Sequence, residues 1–210
     1  MLKIVVIDYN MGNLFSVRKA VEHVAPPASK IEVSSDPKVI MAADRIVFPG
    51  QGAARDCIQE LQARGLNEVV REVALTKPFL GVCMGMQVLL EHSTENGGVD
   101  CLGIFQGEVK HFNEVYRERL KTPQMGWNEI YHTQENHPLW TGIADGARFY
   151  FVHSYHAVLK DKALASGETE YGIRYPSALA KDNIFAIQAH PEKSAADGLK
   201  LLENFMNWRP

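Results

Sequence analysis

The stretch "FLGVCMGMQVLLEH", residues 79–92, joins a short apolar run to a segment with helical periodicity, and a cysteine stands at the join. The run FLGV has the length and character of a strand covered on both faces. Gly81, Cys83 and Gly85 follow the form G-x-C-x-G. That is the thiol counterpart of a nucleophile elbow, in which a tight strand-to-helix turn pushes the central side chain outward. The spacing predicts a helix from Met84 to about His92, whose positive end would favour the thiolate of Cys83. The other reading is a buried thiol beside glycines used for close packing. On G-x-C-x-G alone both stand.

The flanking sequence sets this turn in an alternating chain. KIVVID (3–8), KIEVS (30–34) and RIVFPG (45–50) read as strands. Between the first two, Asn13 can cap a helix carrying Leu14, Val17, Val21 and Val24 at helical spacing. Asp36-Pro37 opens a brief helix, with proline at its first position. Helical text then runs from about Ala54 to Thr76, and Pro78 precedes FLGV. Strands alternating with helices predict an α/β fold: an open, mostly parallel sheet with a helical layer on each face. The second half differs. GEVKHF (107–112), ARFYFVHSYHAVL (147–159), SALAK and NIFAIQAH (183–190) are strands without intervening helices, which suggests antiparallel hairpins added to the sheet. An amphipathic helix is expected over Ser194–Trp208. With no repeat or linker in the text, one domain over residues 1–210 is expected.

Composition narrows the function classes. The chain is 46% hydrophobic and 22% charged with a formal charge of −3, which gives no electrostatic reason to expect nucleic acid or an anionic membrane as partner. No apolar run approaches the roughly 18 residues of a bilayer span. The opening MLKIVVIDYN reads as a strand, not a signal peptide. Cys57, Cys83 and Cys101 are odd in number and lack metal-ligand spacing, so reduced thiols in the cytoplasm are expected.

A reactive thiol needs a proton shuttle. His190, in Ala189-His190-Pro191-Glu192-Lys193 at the end of the strand IFAIQ, is the candidate base. In extended chain alternate residues share a side, so Glu192 could hold the imidazole and stabilise its cation. A surface His-Glu pair at the start of the last helix is the other reading.

GVCMGMQ followed about a hundred residues later by HPEKS resembles the class I, triad-type glutamine amidotransferases, and the likeness covers essentially the whole chain. It implies a flavodoxin-like, three-layer sheet. It also implies that Cys83 attacks the side-chain amide of glutamine. His190 would protonate the departing ammonia and then activate water, with Glu192 orienting it. The family's Pro-Gly loop would be FPGQGA (48–53), with Gly50, Gln51 and Gly52 as oxyanion-hole candidates and the Met84 N–H as the second donor. Small residues after a strand leave such donors free to face a developing negative charge.

Within that family, DYNMGN (8–13), GMQVL (85–89), PQMGWN (123–128) and YFVHSYH (150–156) are similar to the glutaminase subunits of imidazole glycerol phosphate synthase. This likeness implies glutamine as substrate, no cofactor or metal, and a (β/α)8 cyclase subunit as partner in a heterodimer. Gln87, Glu91, His153, Ser154 and Tyr155 would line the glutamine pocket. Asn10, Trp127, Tyr150 and Lys193 would lie near the partner interface and the ammonia exit. Asn10 stands where the family has glycine, and asparagine tolerates a left-handed backbone nearly as well. Simpler readings exist for several of these residues. Gln87 and Glu91, four apart, could be neighbours on an exposed helix face. Trp127 and Tyr150 could be core aromatics, and Lys193 a solvated charge. His153 and His156, three apart in a strand, should face opposite sides, which argues against a metal. A sister glutaminase serving another synthase, or a silent scaffold, are the rival functions.

Overall fold

Strand β1 (Lys3–Ile7) hands over to helix α1 (Leu14–Val24) at Asn13, whose Oδ1 accepts the Ser16 N–H at 3.2 Å. The computed structural model describes residues 1–115 and 120–210. Strand β2 (Lys30–Ser34) follows, then α2 (Pro37–Met41), capped by Asp36 accepting from the Lys38 N–H at 2.8 Å. Strand β3 (Arg45–Phe48) leads into α3 (Ala54–Ala63) and α4 (Asn67–Thr76). The single helical region expected there is two helices, because Gly65 at φ +66° takes the left-handed conformation that ends a helix.

After β4 (Phe79–Val82) the helix α5 spans only Met84–Gln87, not the whole segment to His92. The reason lies in where the carbonyls go. Val88, Leu89 and Leu90 are all fully buried, so this segment has no solvent face. The returning loop donates Leu102 N–H to Val88, Gly103 N–H to Leu90 and Ile104 N–H to Leu89 in place of further helical turns.

The remaining elements are short strands β5 (His92–Ser93) and β6 (Val99–Asp100), β7 (Gly107–His111), α6 (Phe112–Val115), β8 (Gln124–His132), β9 (Ala147–His153), β10 (Tyr155–Leu159), β11 (Ala165–Tyr171), β12 (Ile173–Lys181), β13 (Ile184–Ile187) and α7 (Ala195–Asn207). The run 147–159, expected as one strand, breaks at Ser154, whose carbonyl accepts the Phe112 N–H. Its two halves join different sheets.

The main sheet has the order β2-β1-β3-β4-β13-β12-β11-β8-β9. From β2 to β13 neighbours are parallel, and from β13 to β9 they are antiparallel. The sheet is therefore mixed in equal parts, parallel where the chain alternates with helices and antiparallel where hairpins replace them. A smaller sheet, β10-β7-β5-β6, which the sequence did not signal, packs through β10 against β12. Helices α1 and α7 pack together, as do α2 and α3 with α4. Every residue of β3, β4 and β13 is buried. Apart from Arg45, these strands are apolar throughout and supply the hydrophobic burial that fixes the sheet centre.

One adjacency positions the chemistry. Strand β13, late in the chain, lies beside β4 in parallel, with Ile187 opposite Val82. The residues leaving both strands emerge at the same carboxyl-end crevice, where ligands of open α/β sheets bind.

Candidate active site

Cys83 leaves β4 with φ +56° and ψ −113°, a conformation that non-glycine residues rarely adopt and that costs about 1–3 kcal/mol. Its N–H is anchored to the Ile187 carbonyl of β13 at 2.8 Å. Both flanking glycines are required by space. A Cβ on Gly81 would stand 2.7 Å from the Gly85 carbonyl oxygen, and a Cβ on Gly85 would run into the Phe48 carbonyl. The G-x-C-x-G text thus does build a strained turn. The helix that follows it is a single turn, so Cys83 faces the N–H groups of one turn and not the long dipole the spacing predicts.

His190 leaves the neighbouring strand. Its Nδ1 lies 2.8 Å from Glu192 Oε1, with the two side chains 10% and 3% exposed. Pro191–Lys193 form a 3-10 turn, so the pair meets across a turn and not by the extended alternation expected. Ser194 locks this geometry: its hydroxyl donates to the His190 carbonyl at 2.6 Å and accepts the Tyr150 N–H at 2.9 Å. His190 Nε2 is buried without a hydrogen-bond partner. Burial opposes the imidazolium, but Cys83 and Glu192 outweigh it and raise His190 to about 10. The other two thiols differ: burial pushes Cys57 and Cys101 each up to about 12, which keeps them protonated.

Cys83 and His190 open onto a cavity of about 540 Å³. Of the residues predicted around it, Asn10, Gln51, Gly52, Met84, Gln87, His153, Ser154, Tyr155 and Lys193 line it. Asn10 has φ +68°, the left-handed backbone expected at its position. Gly50 lies beneath the loop, where a Cβ would collide with the Tyr9 hydroxyl and come within 2.9 Å of Met84 Cβ. The Gln51 carbonyl accepts the Cys57 thiol at 3.5 Å. Trp127 is 45% exposed, so it is no core aromatic; its ring meets Tyr150 edge-on at 6.2 Å. Lys193 Nζ stands 5.9 Å from the Tyr150 ring centroid, a cation over an aromatic face.

Two expectations need correction. Glu91 is not at the cavity: its Oε2 accepts from the Gly107 N–H at 2.9 Å and from Lys160 Nζ at 2.7 Å. The helix ends at Gln87, so the four-residue spacing that would have aligned Glu91 with Gln87 is lost. His153 and His156 do not face opposite sides. The chain breaks between them, and both rings pack on Phe112, at 5.3 and 5.0 Å. Among the described residues no group of three or more His, Cys, Asp or Glu side chains is arranged to hold a metal.

The sequence reading missed Glu95, Gln188 and Tyr9. Glu95 lines the cavity and is the one carboxylate among its lining residues; its Oε2 accepts the Ala54 N–H at 2.7 Å. It arrives through a tight turn in which Asn96, Gly97 and Gly98 all have positive φ, held by Arg55 Nη2 on the Asn96 and Gly98 carbonyls. The signal available was the Asn-Gly-Gly run after Glu95, a turn text that ends any helix before it. Gln188 is fully buried against Cys83, and Tyr9 is fully buried under Gly50.

Known proteins give the same picture. A family model of glutamine amidotransferase class-I matches residues 5–208. The chain is 56% identical to the imidazole glycerol phosphate synthase subunit HisH of Dechloromonas aromatica, over 99% of this chain and 97% of that one. To the same subunit of Aromatoleum aromaticum it is 54% identical, over the full length of both. Among solved structures, PurLQS from Thermotoga maritima superposes with a TM-score of 0.73 over 98% of each chain at 15% identity, a likeness of fold. The chain is a class I glutamine amidotransferase of the HisH family.

Proposed function

We propose that residues 1–210 form one glutaminase domain that hydrolyses glutamine to glutamate and ammonia through Cys83, His190 and Glu192. The observation that carries this is the adjacency of β4 and β13, which sets a strained, outward cysteine beside a buried His-Glu pair. The Cys83 thiolate attacks the side-chain carbonyl carbon of glutamine, and the carbonyl oxygen becomes an oxyanion. The Met84 and Gly52 N–H groups, on residues that line the cavity beside Cys83, receive that charge. His190, as imidazolium, gives its proton to the departing nitrogen, which leaves as ammonia. The neutral imidazole then takes a proton from water; the hydroxide attacks the thioester, releasing glutamate and restoring the thiolate and imidazolium. Glu192 stays ionised and holds the imidazolium through Nδ1.

The same cavity accounts for substrate grip. Glu95 receives the α-ammonium of glutamine, while Ser154, Tyr155 and Gln87 offer hydrogen bonds to the remaining polar atoms. Ammonia released into water would take up a proton and cease to be a nucleophile, so a dry exit to a second site is needed. The HisH relatives are subunits of imidazole glycerol phosphate synthase, and this chain pairs as a heterodimer with a (β/α)8 cyclase subunit that consumes the ammonia to make imidazole glycerol phosphate and an aminoimidazole carboxamide ribotide. The Trp127–Tyr150–Lys193 cluster and Asn10 flank that exit at the partner interface. Three free thiols and the absence, among the described residues, of any helix able to cross a membrane fit a place in the reducing cytoplasm.

The deciding experiment measures glutamine turnover of wild type and Cys83→Ala, each with and without the cyclase subunit. Turnover is expected only in wild type, rising when the ligand-loaded partner is present, with the variant still binding the partner. Turnover near wild type in Cys83→Ala overturns the assignment of the nucleophile.

A further inference from the structure

Three buried side chains form one hydrogen-bonded line from the reactive sulfur to the cavity wall. Gln188, at the exit of β13, is fully buried, and its backbone N–H is given to the Ser177 carbonyl at 2.8 Å. Its Nε2 donates to Cys83 Sγ at 3.9 Å, and its Oε1 accepts Gln87 Nε2 at 2.8 Å. Gln87 Nε2 gives its second hydrogen to the Tyr155 carbonyl at 3.0 Å. Gln87 lines the cavity, while Gln188 stands behind it.

The polarity of this line is forced from both ends. A thiolate sulfur only accepts, so Gln188 must turn its N–H toward Cys83 and its carbonyl toward Gln87. The Tyr155 carbonyl also only accepts, so Gln87 must spend both amide hydrogens inside the protein. Its own carbonyl is then the group left to face substrate. Turning Gln87 over would set its oxygen against the Gln188 and Tyr155 oxygens. Turning Gln188 over would set two amide groups against each other and its oxygen against the sulfur, and buried polar groups avoid both arrangements.

We propose that Gln188 stabilises the Cys83 thiolate with its carboxamide N–H and, through the same carboxamide, holds Gln87 with its carbonyl toward glutamine. The inference rests on the reading of Cys83 as the nucleophile. It has a consequence for the second half of the reaction. Once the sulfur is acylated it is a poor acceptor, and the buried Gln188 N–H loses its partner. The thioester is thereby disfavoured relative to free thiolate, and its hydrolysis restores the bond.

The test is alkylation of the whole protein by iodoacetamide at pH 7, with Cys57, Cys83 and Cys101 quantified separately by peptide mass spectrometry. Gln188→Met keeps the volume and removes both polar groups. Its Cys83 is expected to react about ten-fold more slowly, the loss of one hydrogen bond to a charged group, with Cys57 and Cys101 still protected. Its KM for glutamine should rise as well, because Gln87 is released. A merely structural role would do the reverse and open Cys57 and Cys101 to the reagent. Gln87→Met is the second variant, and decides the matter should the first not fold: Gln188 stays in place but its carboxamide is free to turn, and Cys83 alkylation is expected to fall about three-fold. Cys83 reacting at the wild-type rate in a folded variant, or Cys57 and Cys101 becoming reactive in both variants, overturns the proposal. Turnover retained by Cys83→Ala would instead overturn the nucleophile assignment on which it rests.

Discussion

His190 Nδ1 and Glu192 Oε1 lie 2.8 Å apart in a space nearly closed to water, and the second carboxylate oxygen has no partner there. A buried charge in that position is held by the imidazolium it faces. Glu192→Gln keeps an acceptor for Nδ1 but removes the charge. We expect kcat for glutamine to fall about 10- to 100-fold, the range of one charge-assisted hydrogen bond, with KM within about two-fold of wild type. Steady-state kinetics of the complex with the proposed cyclase subunit measures this. A loss confined to KM would place Glu192 in substrate binding instead.

Glu95 and Glu91 make a paired test of the cavity. Glu95→Gln retains the acceptor for the Ala54 N–H and loses only the charge, so KM for glutamine should rise about ten-fold with kcat little changed. Glu91→Gln lies outside the cavity beside Lys160 and should leave KM unaltered. Isothermal titration of glutamine into the Cys83→Ala variant reads the same contrast without turnover.

Gly85→Ala presses a methyl group into the Phe48 carbonyl, a backbone atom that cannot rotate away. The strand end must move, at about 3 kcal/mol or more, which in a chain of this length lowers Tm by roughly 6–12 °C. Thermal unfolding followed by circular dichroism checks it. Gly97→Ala supplies the comparison: it has open space but φ +83°, so its loss comes from backbone strain alone and should be smaller, about 1 kcal/mol.

Acid weakens this fold through two histidines whose surroundings disfavour the imidazolium, the buried His153 and the half-buried His137. Burial lowers His137 to about 4; burial, chiefly, lowers His153 to about 3. In the unfolded chain each titrates near about 6.5. As pH falls below that value the unfolded state binds protons that the native state refuses, so stability drops until pH reaches the native values. His137→Asn keeps the acceptor for the Leu139 N–H and removes the titrating ring. The fall in Tm between pH 7 and pH 5 should then be smaller by about 3 °C, even though lost contacts with Phe185 and Trp208 lower Tm at both pH values. An unchanged difference would mean that His137 is not part of the acid response.

The parts of this molecule that were legible in advance are those governed by local rules. Asn13 and Asp36 cap their helices as their spacing suggests, and KIVVI, RIVF, FLGV and IFAI form strands buried along their apolar residues, with only Lys3 exposed. Cys83 and His190 were visible because each sits at a strand end beside residues with unusual backbone demands. What escaped was set by distant partners. The helix after Cys83 stops because carbonyls of Val88, Leu89 and Leu90 bond a loop that follows them by some dozen residues. That one difference moves Glu91 out of the cavity and lets Glu95 in. Gln188 reads as an ordinary polar residue of a strand until the structure brings Gln87, about a hundred residues earlier in the chain, against its carbonyl.

The place of β13 also has a consequence in time. During synthesis the chain emerges with Cys83 far ahead of Ile184–Ile187, and until that strand docks both β4 and β12 present an open edge to the cell. Exposed edges of that kind pair readily with other chains, so the last strand to be made is also the one that seals the nascent protein against aggregation. The same insertion delivers His190 and Gln188 to the sulfur. The surroundings of Cys83 are therefore incomplete until the sheet is closed, and a half-made chain carries that thiol without the His190–Glu192 pair beside it.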